Sequence, residues 1–161
     1  FSYAADFYDA SGALLKSVDN KSFVYAGQTK NIIEAGVRIL NGIPVSVKIA
    51  LDPASVVWVK PVDFFEPLYE KKDLSAVFED NLVAVSGSIV NPNNFSFSKV
   101  VVSAFVADNL GIKMGASKTE LYDISQFRQE NFKISIPVRK DLLRSVDLKA
   151  SAESVSVEVL K

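Results

Sequence analysis

The side chains of this sequence that could carry chemistry are carboxylates, hydroxyls and amides, because it contains neither Cys nor His. That removes thiol nucleophiles, Ser-His and Cys-His pairs, the usual zinc ligand sets and imidazole pH switching. Asp6, Asp9 and Ser11 stand close enough to share a calcium ion, and so do Glu79, Asp80 and Asn81. Alternation, however, puts Asp6 on a solvated strand face, and Asp9 opens a DASG turn in which its carboxylate can accept local backbone hydrogen bonds. Turn chemistry is therefore the simpler account of both residues. Asn91-Pro92-Asn93-Asn94 could hold a ligand, yet Asn and Pro in this order make a tight connection without one. Glycoside chemistry needs opposed carboxylates across a cleft, which spacing alone does not place. No catalytic residue, metal ligand or cofactor is expected, and the chain reads as a non-enzyme. Asn20-Lys21-Ser22 and Asn94-Phe95-Ser96 are acceptor triplets that matter only in a glycosylating secretory route.

The elements that would position these residues are strands. With 161 residues and 48% hydrophobic content, the chain can bury a core in one large or two small domains. A net charge of -1 gives no overall attraction to nucleic acid or anionic lipid, and no nucleic-acid partner is expected. No apolar run approaches the ~18 residues of a membrane span, so a membrane anchor would have to lie outside this stretch. The dominant period is two. Phe1, Tyr3, Ala5 and Phe7 alternate with Ser2, Ala4, Asp6 and Tyr8, and the DASG turn leads into ALLKSV, a hairpin pattern. Further strands are expected at 23–25, 30–35, 45–51 and 56–60, then at 74–79, 82–90, 99–107, 112–119, 131–137, 145–150 and 154–160. Residues 139–144 can form a helical turn. Around residues 61–73 the alternation lapses into PVDFFEPLYEKKD, with two prolines and a charge cluster, as a linker would.

The second half repeats the first at a spacing of 99 residues. Asp9 and Gly12 fall on Asp108 and Gly111, and Ile33, Ala35 and Val37 on Phe132, Ile134 and Ile136. Val47, Ile49 and Leu51 fall on Val146, Leu148 and Ala150, and Trp58 on Val157, which reads as a core position. Phe1 then aligns with Val100, so the first copy has no counterpart of residues 74–99 and is expected to lack its opening ~25 residues here. Short strands at intervals of roughly 8–12 residues predict an all-β chain of two tandem antiparallel sandwiches of immunoglobulin or fibronectin type III kind. The expected division is an incomplete N-terminal module at 1–62, a linker at 63–73 and a C-terminal module at 74–161.

The G-x-I-V-N-P-N run from Gly87 to Asn93, the strand ending in Asp108-Asn109-Leu110-Gly111, and the closing Phe132-Lys133-Ile134 resemble the FxLYD domain family of bacterial envelope proteins. In the first copy, DFYDASG and FVYAGQTKNIIE are similar to that family's strand-Asp-x-x-Gly-strand and later Gly-containing turn. The NPN-strand pattern also resembles the late-embryogenesis-abundant water-stress domain. The FxLYD resemblance implies a module that acts as spacer and protein-interaction element in the cell envelope, on the extracytoplasmic side, with no catalytic residues to carry over. Its partner would be an envelope protein or another copy. A fibre or pilus-like subunit completed by strand donation, or a cytosolic water-stress-type domain, are the alternatives. Phe64, Phe65, Leu68 and Tyr69 form an apolar cluster where no strand is expected, and so should fill the seam between modules or offer a partner surface.

Overall fold

The structure, a computed structural model, describes residues 1–60 and 66–160, and its regular elements are nearly all antiparallel strands. The chain divides into two compact units, Phe1–Asn31 with Gly36–Phe65, and Ile32–Ala35 with Glu66–Lys161.

The first unit carries β1 (Ser2–Tyr8), β2 (Leu14–Lys21) and β3 (Ser46–Asp52), in the sheet order β2-β1-β3. Period-two alternation sends Tyr3 and Ala5 to one face, where both are buried, and Ser2, Ala4 and Asp6 to the other. The register sets Tyr3 opposite Leu51, Ala5 opposite Ile49 and Phe7 opposite Val47, so one face of the β1-β3 pair is a continuous apolar row. Among the described residues of this unit no second sheet lies over that row.

The second unit is a complete two-layer sandwich. It contains β4 (Glu70–Glu79), β5 (Leu82–Val90), β6 (Phe97–Ala107), β7 (Lys113–Ile124), β8 (Gln129–Pro137), helix α1 (Leu148–Glu153) and β9 (Ser156–Leu160). These form the sheets β4-β5-β8 and β7-β6-β9. Val83, Val85 and Ile89 of β5 and Phe132, Ile134 and Ile136 of β8 meet Val100, Val102, Ala104 and Val106 of β6 and Val157 and Val159 of β9 in one buried cluster. The alternation that reads as strands in the sequence is thus the inward row of each sheet.

The 99-residue repeat holds through one hairpin and then stops. Asp9 accepts from the backbone of Ser11 (2.8 Å) and Ala13 (2.9 Å), and Asp108 from Leu110 (2.9 Å) and Ile112 (2.8 Å), each 99 positions on. Gly12 and Gly111 close these turns at φ of 83° and 80°, a backbone region in which a side chain is strained. After the second strand of the hairpin the copies part. In the second, Asp147 caps α1 by accepting from Ala150 (2.9 Å). Lys48 stands at the equivalent position and offers no acceptor, and Pro53 replaces Ala152, where a proline would remove an amide and clash with the preceding turn. A helix is therefore not available to the first copy. Residues 46–52 stay extended as β3, and Pro53 opens a short 3₁₀ turn capped by Asp52.

Several sequence expectations are corrected by this. The strand expected at 145–150 is α1 and the turn before it. Residues 56–60 are not in a sheet, because β3 already occupies on β1 the place that β9 takes on β6: Tyr3 faces Leu51 as Val102 faces Val157. Residues 30–35 are coil. Their counterpart β8 exists by pairing with β5 from Leu82 to Val90, whereas Ile32–Ala35, which group with the second unit, take part in no sheet. Residues 23–25 are likewise outside the sheet. The expected linker is shorter than 63–73, since Glu70, Lys71 and Lys72 pair with Val90, Ile89 and Ser88. Its charge cluster is the solvated side of an edge strand, bulged where Asp73 takes φ of 54°, a device that discourages further strand pairing.

Gly87, in the middle of β5, is a packing requirement. A Cβ there would lie 2.7 Å from Leu74 Cδ2, 3.0 Å from the Lys72 carbonyl oxygen and 3.1 Å from Phe132 Cε1. Gly87→Ala is expected to lower the stability of the second unit by about 1–3 kcal/mol, as overpacking does. Denaturant unfolding followed by far-UV circular dichroism measures it, and an unchanged midpoint would show that β4 gives way without cost.

Candidate functional site

The polar clusters singled out in the sequence are structural in their contacts. Asp9 Oδ1 accepts from the Ser11 hydroxyl (2.6 Å) and the Ser11 and Ala13 amides, so its carboxylate is committed to the turn. The Ser11 hydroxyl and then the Ala13 amide hold its pKa below the ordinary carboxyl value. Asp80 lies at φ of 52° in the turn between β4 and β5. Among the described residues no group of three or more acidic side chains is arranged to hold a metal ion.

Asn91 is fully buried. Its Nδ2 lies 2.8 Å from the carbonyl of Phe95, 3.1 Å from that of Ile124 and 3.2 Å from that of Ser125, while Oδ1 accepts from the amide of Asn93 at 3.0 Å. The Asn93 side chain donates in turn to the Leu68 carbonyl at 2.7 Å. Both polar atoms of the Asn91 side-chain amide are thus engaged within the chain, so this residue is a structural pin.

A polar cluster that the sequence did not reveal sits across β6 and β7. Lys99 Nζ lies 2.6 Å from Glu120 Oε1 and 5.7 Å from the Tyr122 ring centroid, and the Tyr122 hydroxyl donates to Glu120 Oε2. Lys99 faces Tyr122 across the strands, and Glu120 is two residues away on the same sheet face. The hydrogen bond to Lys99 is the main cause of a lowered Glu120 pKa, and the same bond raises that of Lys99. Such cross-strand sets stabilise a sheet surface.

Of the four apolar residues expected at a seam or partner surface, Phe64 and Phe65 lie outside the described residues. Tyr69 packs against the core of the second unit, and that burial, followed by the nearby Glu66, raises its pKa. Leu68, by contrast, is 74% exposed. Tyr69 therefore has a structural role within the second unit, and Leu68 presents its side chain to solvent.

The opening that stands out is apolar and belongs to the first unit. A groove of about 490 Å³ is lined by Phe1, Phe23, Tyr25, Leu51, Val57 and Trp58, among others, and among the described residues no carboxylate, lysine or arginine side chain lines it. Trp58, expected in the core, is 92% exposed, because the stretch that holds it has lost its place in the sheet to β3. Leu51 and Val157 occupy matching positions in their sheets, yet Leu51 is 58% exposed and Val157 only 7%. The run VVWV at 56–59 was the available signal; a strand with Trp58 in the core was the wrong inference from it.

No protein-family model matches the chain, and no curated protein matches it.

Two measurements test these assignments. Asn91→Asp turns a donor into an acceptor facing three carbonyls, and should destabilise the second unit by about 3 kcal/mol; retention of the wild-type denaturation midpoint would remove Asn91 as its pin. For Glu120, a lowered folded-state pKa means stabilisation that is present above the ordinary carboxyl pKa and lost as pH falls through the lowered one. Wild type should exceed Glu120→Gln by at most about 1 kcal/mol at neutral pH, given the solvent around the pair. That difference should vanish on acidification, and should shrink again where Lys99 deprotonates above its ordinary range. A difference that grows toward acid pH contradicts the assignment.

Proposed function

We propose that this chain is a non-enzymatic β-sandwich repeat protein of the cell envelope, held on the extracytoplasmic side, where it acts as spacer and protein-interaction module. The observation that carries the reading is the apolar groove of the first unit. It has exposed Trp58 and half-exposed Leu51 in its wall and, among the described residues, no charged side chain in its lining. A reacting centre gathers a few polar or ionisable groups in a concave site, whereas a surface of this composition suits burial against another stretch of polypeptide. The FxLYD resemblance supports the location. Its G-x-I-V-N-P-N run coincides with the end of β5 and the Asn91 pin, and its Asp-x-x-Gly turn recurs in both hairpins. Among the described residues no helix is long and apolar enough to cross a membrane.

The location is tested on intact cells that produce the natural protein. Protease added outside the cells should degrade it while a cytosolic marker survives. Resistance until the cells are lysed would overturn the extracytoplasmic reading.

A further inference from the structure

β3 ends its sheet. Its inner side pairs with β1 over seven residues, from Ser2 with Asp52 to Tyr8 with Ser46, and among the described residues no strand pairs with its outer side. Edges of this kind are normally blunted by a bulge, a proline or a row of charge. β4 shows the device in the same chain, with its register shifted between Lys72 and Ser75 and with Glu70, Lys71 and Lys72 at its head. β3 is regular instead. Its register against β1 runs without a shift, every one of its residues is exposed, and proline comes only after it, at Pro53.

The residues of β3 are also complementary to themselves. In antiparallel pairing a residue faces one whose backbone groups point the same way, so a strand pairs with its own copy only about one of its residues. Centred on Ala50, the pairing sets Lys48 opposite the partner's Asp52 and Asp52 opposite the partner's Lys48, on the face that also carries Asp6. On the other face it sets Ile49 opposite the partner's Leu51 and Leu51 opposite the partner's Ile49. Lys48 would then lie between Asp6 of its own sheet and the partner's Asp52. Centred on Ile49, by contrast, Lys48 faces alanine and Asp52 faces serine, and neither charge is matched. Opposite charges and apolar pairs directly across strands are favourable, so the Ala50 register is selected.

We propose that β3 is the contact through which two copies of this chain join, antiparallel and edge to edge about Ala50, into one sheet of order β2-β1-β3-β3-β1-β2. The contact is isologous, each copy giving and receiving the same residues, and therefore closes at two. It carries the half-exposed row of Ile49 and Leu51 across from one sheet to the next. The proposal names a partner for the interaction module described above and rests on that reading, but not on the envelope location, which the protease experiment decides separately.

The sequence has no Cys, so a single introduced cysteine reports the register. Sedimentation velocity of Phe1–Lys161 at rising concentration should show monomer passing to dimer. Lys48→Asp and Asp52→Lys should each weaken the dimer about tenfold or more, because each sets like charges opposite one another at two places. An equimolar mixture of the two variants should recover the dimer, since the exchanged charges then match. Ala50→Cys should form an intermolecular disulfide under mild oxidation, its Cβ lying within ~5.5 Å of its own copy. Ile49→Cys, displaced from the axis, should not. A monomer at every concentration would overturn the proposal. So would a dimer that neither charge variant weakens, a mixture of folded variants that stays monomeric, or a disulfide that forms through Ile49→Cys and not through Ala50→Cys. Should a charge variant lose its fold by circular dichroism, the two cysteine variants decide alone.

Discussion

One buried amide organises the complete unit. Asn91 joins the connection between β5 and β6 to the connection between β7 and β8, through its bonds to the carbonyls of Phe95, Ile124 and Ser125 and through its own amide to Arg128. Each of these connections crosses between the same two sheets, so holding them together fixes how the two layers meet at that end of the sandwich. Backbone carbonyls in a covered turn need donors, and a buried one left without a partner costs about 1–3 kcal/mol. Asparagine fits because its amide donates toward the carbonyls while its oxygen receives Asn93, whose side chain reaches back to Leu68 ahead of β4. The same motif that resembles an envelope family in sequence is, in structure, the place where the strand before the core, the turn and the second layer are tied.

The contrast between the units follows from faces. A three-stranded sheet has one apolar face to bury, and β7-β6-β9 buries its own under β4-β5-β8. In the sheet β2-β1-β3, Tyr3 and Ala5 at the centre are covered while the row on β3 is not. Each fully covered large aliphatic side chain contributes about 1.5–3 kcal/mol, so the half-exposed Val47, Ile49 and Leu51 leave much of that contribution unrealised. The first unit accordingly realises less of this burial than the second.

Elements marked by local alternation and turn chemistry were legible. The β1-β2 and β6-β7 hairpins, β5 and β9 announced themselves through alternation and through Asp and Gly at fixed turn positions, because those are local requirements of backbone geometry. Failures came where pairing partners decided the outcome. Residues 30–35 and 56–60 have strand composition, but a strand exists only against a neighbour, and composition says nothing about whether the neighbour is there or already taken. The charged start of β4 read as linker because an edge strand is built to look unlike a strand. For the candidate site, the apolar residues of the groove were visible as residues, while their exposure was not. Trp58 was assigned to the core by analogy with Val157, and the analogy failed at Pro53 and Lys48, which deny the first copy the helix that lets β9 take its place.

That single divergence also shapes the surface. By keeping residues 46–52 extended, the first copy pairs β1 along its full length, from Ser2 with Asp52 to Tyr8 with Ser46, and gains a longer edge than the second copy has in β9. A long edge with an apolar row invites strand addition unless it is covered or charged. Lys48 and Asp52 point to the polar face, since they stand opposite Asp6 and Ser2, and so do not guard the row formed by Val47, Ile49 and Leu51. A sequence selected only for solubility would place a lysine in that row. Valine, isoleucine and leucine stand there instead, about half-exposed on β3, so the row presents apolar area with no charge to discourage strand pairing.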